Sequence, residues 1–144
     1  MTSNRNWVSD HCGNNTDMKD PHFFRWMAFI KGEKLAQKVF ALSQQFPKEE
    51  KYSMTDQIRR SSRSVTANLA ESYAKRRYPK HFTAKITDAQ GENYETMGWL
   101  RHARICNYIN NEEFTAHYTE TMEVEKLLSF MLRNPDKFRG SFAK

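Results

Sequence analysis

Helix breakers are scarce in this chain. Five glycines and four prolines among 144 residues leave long stretches between Pro21, Pro47, Pro79 and Pro135 without an obvious stop, which argues against the frequent turns of an all-β fold. Cysteine is nearly absent as well. Cys12 and Cys106 are too few and too far apart for a disulfide framework or a thiolate metal centre, and a reduced, cytoplasmic protein is the expectation. Cys106 falls inside a periodic segment and reads as a small buried hydrophobe. No apolar run approaches the roughly 20 residues of a membrane span, and there is no signal-peptide h-region, so no membrane partner is expected. The chain also lacks a Gly-rich phosphate loop, clustered Cys and His, and the Glu-x-x-His spacing of carboxylate-bridged metal bundles. Glu71, Glu92, Glu95, His102 and His117 are the side chains a metal would have to use, and their spacing does not suit one. Neither a catalytic residue, nor a metal ligand, nor a cofactor is assigned.

What the sequence does contain is helical periodicity. Residues 1–21 are rich in Asn, Ser, Thr and Asp and bury too little to fold, so they read as a tail, with Trp7 and Val8 its only sizeable apolar pair. A bundle domain is expected over 22–138 and a flexible end over 139–144. The first helix is predicted from Phe24 to Phe46, with Ala28, Leu35, Val39, Leu42 and Phe46 on one face and Pro47 as its stop. A second follows Ser53, taken as its cap with Asp56 as the reciprocal acid; Met54, Ile58, Val65, Leu69 and Tyr73 form its core face, edged by Ser61, Ser62 and Ser72. Pro79 opens a third, lined by Phe82, Ile86, Ala89, Asn93, Leu100 and Ala103, with Trp99 at the margin. Asn110 or Asn111 caps a fourth, running through Phe114, Tyr118, Met122, Leu128 and Leu132 to Asn134-Pro135. Four amphipathic helices with short connections predict an all-α, antiparallel up-down-up-down four-helix bundle.

Charge is unevenly placed along that bundle. The formal net charge is +6, but Arg59, Arg60, Arg63, Lys75, Arg76, Arg77, Lys80 and Lys85 follow one another with only Glu71 among them. From Asp88 to Glu125, eight acids oppose Arg101 and Arg104 alone. Projected at about 100° per residue, Arg59, Arg63, Ala67 and Ala70 lie opposite the core face of the second helix, with Arg60 close by. A solvated face, a subunit interface and direct phosphate contact are all open readings of this set. Asp88, Glu92 and Glu95, on a stripe of the third helix, are the acids such arginines would pair with, within one subunit or across an interface. Lys75, Arg76 and Arg77 suit the carbonyl end of the second helix; with Tyr78, Lys80, His81 and Lys85 they also form a basic patch interleaved with rings, a pattern that holds a phosphate backbone and stacks a base.

Two segments carry a family resemblance. FPKEEKYSMTDQIRRSSRSVTANLAES, Phe46 to Ser72, is very similar to the pattern FPxxExyxLTDQIRRSSxSVxANIAEG of the bacterial 23S rRNA intervening-sequence proteins. KITDAQGENYETMGWLRHARICNYI, Lys85 to Ile109, resembles a branch of that family. The likeness runs from about Phe24 to Leu132, with Ser72 and Ala74 in place of glycines and Gly32 in place of a small alanine. It implies a four-helix bundle that assembles as a homopentameric ring with a basic surface, and no enzymatic activity. Genes of this kind lie within rRNA genes, and a relative in diversity-generating retroelements binds a reverse transcriptase and nucleic acid. Thr55, Asp56, Gln57, Arg59, Arg60, Asn68 and Glu71 occupy the motif positions. The functional expectation is therefore a non-enzymatic ring binding rRNA or other RNA or DNA, against a protein-interaction adaptor whose arginines serve subunit contacts.

Overall fold

In the computed structural model, residues 19–143 are described; Trp7, Val8 and the rest of residues 1–18 lie outside them. Four helices make up the body: α1 Met27–Ser43, α2 Met54–Ala74, α3 Pro79–Ile105 and α4 Asn111–Arg133. Each packs on its sequence neighbour and α1 closes against α4, while no strand occurs among the described residues. The antiparallel order is visible in the pairing of side chains. Arg59 meets Ser43, and Gly32 lies against Thr66; Arg60 meets Glu92, and Lys85 meets Glu71; Asn93 meets Thr121, and Gln90 meets Glu125. In every pair of helices one number rises as the other falls, so the chain runs up, down, up, down.

The start of α1 departs from the sequence reading. A 3-10 turn spans His22–Arg25, and Trp26 is extended at φ −64°, ψ 133° before the helix begins. That break lets Phe23 and Trp26 turn onto the end of the bundle, where Trp26 meets Tyr73, Phe82 and Phe138 edge-on at ring-centroid distances of 5.9, 6.2 and 5.7 Å. The predicted apolar residues of α1 through Phe46 are all buried.

Ser53 does precede α2, but its side chain does not cap it. Glu50 takes that part: its Oε1 accepts from the Met54 N–H at 3.2 Å and from the Ser53 hydroxyl at 2.6 Å. The other oxygen accepts from the Tyr108 hydroxyl at 2.8 Å, tying the α1–α2 connection to the end of α3. Those three donors hold the Glu50 carboxyl below its ordinary range, and the charge it retains pushes the Tyr108 phenol up to about 12.

Ser61, Ser62 and Ser72 lie in the core rather than at the edges of the α2 face. Each hydroxyl donates to the carbonyl three residues back, and Ser61 also meets the Thr96 hydroxyl at 2.8 Å, so burying them leaves these groups satisfied. α4 is rotated from its predicted register. Thr121, Val124, Leu128 and Met131 face inward, Phe114, Tyr118 and Leu132 are half-buried, and Met122 is 39% exposed. Asn110 is the cap, and a full capping box joins it to Glu113. Cys106, expected in the core, ends α3 as an exposed free thiol, because the helix stops there and Asn107 turns the chain at φ 61°.

Candidate nucleic-acid interface

The α2–α3 connection is a tight turn at one end of the bundle. α2 stops at Ala74, and Pro79 starts α3 with its missing N–H in the first turn. Between them lie Lys75, Arg76, Arg77 and Tyr78, and two carbonyls of this turn are met by a residue from far along the chain. Arg139 is only 3% exposed; its Nε donates to the Arg76 carbonyl at 2.8 Å, its Nη2 to the Arg77 carbonyl at 3.3 Å and its Nη1 to Asp136 at 3.0 Å. The sequence reading gave this arginine to a flexible end; three donors satisfying three acceptors hold it in place instead. A lone Arg between Phe138 and Gly140 carries no signal of that role.

The seven residues read from the sequence as a basic patch divide into three. Arg76 is half-buried, its guanidinium 3.6 Å from the centre of the Tyr73 ring and its Nε bonded to the Tyr73 carbonyl. Lys85 lies down the side of α3 and pairs with Glu71 at 3.0 Å and Asp88 at 3.6 Å, contacts that raise its pKa. Lys75, Arg77, Tyr78, Lys80 and His81 remain exposed together at the bundle end. The Tyr78 and His81 rings meet edge-on at 5.8 Å, and Arg77 lies 5.5 Å from the Phe142 ring. Among the described residues, none of Lys75, Arg77 and Lys80 has a carboxylate within ion-pair reach.

The three arginines of α2 also part company. Arg60 reaches α3, giving two bonds to Glu92 at 3.0 and 3.3 Å and one to Glu95 at 2.6 Å. This fork is an internal clasp between helices. Arg59 and Arg63 turn toward α1, 4.4 and 5.4 Å from the Phe40 ring. Ala67 is exposed further along α2, whereas Ala70 packs against the core. A projection of α2 alone groups these arginines because it does not locate the neighbouring helices.

The clasp has a pH signature. Partial burial raises the Glu95 pKa, but bonds from Arg60 and the Trp99 indole outweigh it and hold the carboxyl below its ordinary value of 4.5. Glu50 and Glu113 are likewise lowered. A carboxyl with a depressed folded pKa adds stability above its unfolded pKa, and that stability disappears as pH falls through the folded value. The thermal midpoint is therefore expected to hold steady from pH 7 to 5 and to fall below about pH 4.5. In Glu95→Gln the midpoint is lower at pH 7 and the acid-side fall is smaller; melting curves across that range, with an unaltered fall in the variant, would refute the assignment.

Comparison with known proteins bears on this geometry. The sequence profile described as 23S rRNA-intervening sequence protein matches residues 27–130, from the first residue of α1 nearly to the end of α4. The chain belongs to that family. A crystal structure of a protein with unknown function from the S23 ribosomal protein family of Bacteroides thetaiotaomicron superposes on this chain with a TM-score of 0.68 at 27% identity, covering 75% of this chain and all of the other. No curated protein matches. The family match takes in α2 and the α2–α3 turn but stops before Arg139, so the residue that closes the turn belongs to the segment outside it. No helix among the described residues is long and apolar enough to cross a membrane.

Proposed function

We propose that this family member is a non-enzymatic bundle that assembles with copies of itself and binds RNA or DNA through the α2–α3 turn. The observation that carries this reading is the contrast within the basic segment. Arg60 and Lys85 are neutralised by carboxylates of the same chain, whereas Lys75, Arg77 and Lys80 are exposed at one end and have no such partner among the described residues. Exposed rings beside them supply the stacking surface that unpaired bases use. A ring of five, as the resemblance implies, multiplies a modest patch by linking its encounters to one strand. The Arg63–Phe40 strip on α1 and α2, with a hollow lined by Ala36 and Gln37, is the surface this reading assigns to subunit contact.

Light scattering and filter binding test the two halves. The expected mass is several times the 17.1 kDa of one chain. Retention of single-stranded RNA or DNA is expected at low salt and is lost as salt rises, with a slope of about −0.7 per phosphate contacted. A monomeric mass removes the ring, and absence of retention at low salt removes the nucleic-acid reading. The same strip favours a second reading, a protein adaptor: there the oligomer dissociates in Arg63→Glu, but no strand is retained even by the intact assembly.

A further inference from the structure

At the opposite end of α2, about 30 Å from the α2–α3 turn at 1.5 Å per residue, the α1–α2 connection leaves an open cleft of about 490 Å³. Phe46 and Pro47 contribute its apolar wall, and Lys48, Lys51 and Arg59 its charge. We propose that this cleft is a binding site for an oligophosphate, a chain of two or three linked phosphate groups.

Arg59 is the reason. Its Nε donates to the Ser43 hydroxyl at 2.7 Å, and its guanidinium lies over the Phe40 ring, so the side chain is fixed before any ligand arrives. Ser43 is 2% exposed, and its own proton goes to the Phe40 carbonyl at 2.8 Å, so the arrangement is complete at the serine and leaves both Nη groups of Arg59 uncommitted to any carboxylate among the described residues. A planar guanidinium fork held in this way matches two phosphate oxygens. Lys48 and Lys51 are exposed and equally without an acid partner among the described residues. Of the two acids between them, Glu50 is withdrawn, its two oxygens taking Ser53, the Met54 N–H and Tyr108, and the exposed Glu49 is not among the residues that line the cleft. Thr55 also lines the cleft, and it lies in the first turn of α2, whose orphan N–H groups favour an anion. Three cations in a space of this size exceed what a single carboxylate or phosphate needs and offset most of the charge of an oligophosphate. Such a group can be free in solution or form the 5′-triphosphate end of an RNA.

Isothermal titration calorimetry with sodium tripolyphosphate, at fixed ionic strength, reads the site directly. One tripolyphosphate is expected per chain, with affinity reduced tenfold or more in Arg59→Gln and in Lys48→Ala/Lys51→Ala, circular dichroism confirming that each variant is folded. Lys75→Ala/Arg77→Ala/Lys80→Ala keeps this affinity while losing RNA, which separates this site from the nucleic-acid reading above. An RNA oligonucleotide with a 5′-triphosphate that binds tenfold more tightly than its 5′-hydroxyl form, with the gain lost in Arg59→Gln, identifies the RNA end as the source. Tripolyphosphate binding without that gain identifies a free oligophosphate. Absence of binding, equal displacement by sulfate at the same ionic strength, or undiminished affinity in both folded cleft variants overturns the proposal.

Discussion

Changing Lys75, Arg77 and Lys80 together to Ala is expected to weaken single-stranded RNA binding about a hundredfold at 0.1 M salt. Counterion release supplies the figure: each phosphate contact on a single strand scales affinity as salt to the power of about −0.7, a factor of roughly five at this concentration, and three contacts multiply. The salt slope should fall by about 2 at the same time. Folding is a minor concern, because all three side chains are exposed and outside the core. Lys85→Ala is the matched control. Its ammonium is already paired with Glu71 and Asp88, so removing it takes little from a phosphate. A loss of about fivefold in Lys85→Ala, the same per charge as in the triple variant, would show that net charge, not the α2–α3 turn, attracts the strand.

Phe82→Ala is expected to cost about 3–5 kcal/mol of folding stability. Phe82 is fully buried one turn into α3, and Trp26 meets it edge-on. Deleting the ring leaves a cavity beneath the residues that join the N-terminal 3-10 turn, α2 and α3. A loss of that size is a large share of the roughly 5–15 kcal/mol that holds a domain of this kind together. Urea unfolding should show it as a lower midpoint with an unchanged slope. Met122→Ala, at a side chain 39% exposed on α4, should stay within about 0.5 kcal/mol of the parent. A comparable loss at both positions would mean that α4 buries the face predicted from its apolar spacing rather than the one containing Thr121 and Val124.

That pair of variants also shows where sequence patterns stop being informative. Apolar spacing located α1, α2 and α3 well, since Leu35, Val39, Ile58, Val65, Leu69, Ile86 and Leu100 recur at helical intervals and are all buried. It misjudged α4 because a hydropathy pattern gives Met122 to the core and passes over Thr121. Thr121 is buried with its hydroxyl bonded to the Tyr118 carbonyl at 2.6 Å, and its own carbonyl accepts from Asn93. Local bonds of this kind make polar residues compatible with burial, and no periodicity records them. The resemblance located the family, and the bundle it implies is the one the periodicity already predicted. The destinations of Arg59, Arg60 and Arg63 depended on which neighbouring helix each one reaches, a property of packing rather than of α2 itself. Ser43 with Arg59, and Arg76 with Arg139, are pairings across 16 and 63 positions, with nothing in either residue to announce the other.

The Arg139 contact ties the α2–α3 turn to completion of the fold. The turn between α2 and α3 is local and can form early, but its carbonyls receive their donor only after α3 and α4 have brought Arg139 back across more than sixty residues. A partly folded chain therefore displays the cations without the geometry that spaces them. On the proposed reading, the surface offered to a strand is thus complete only when the end of the chain has packed against the α2–α3 turn.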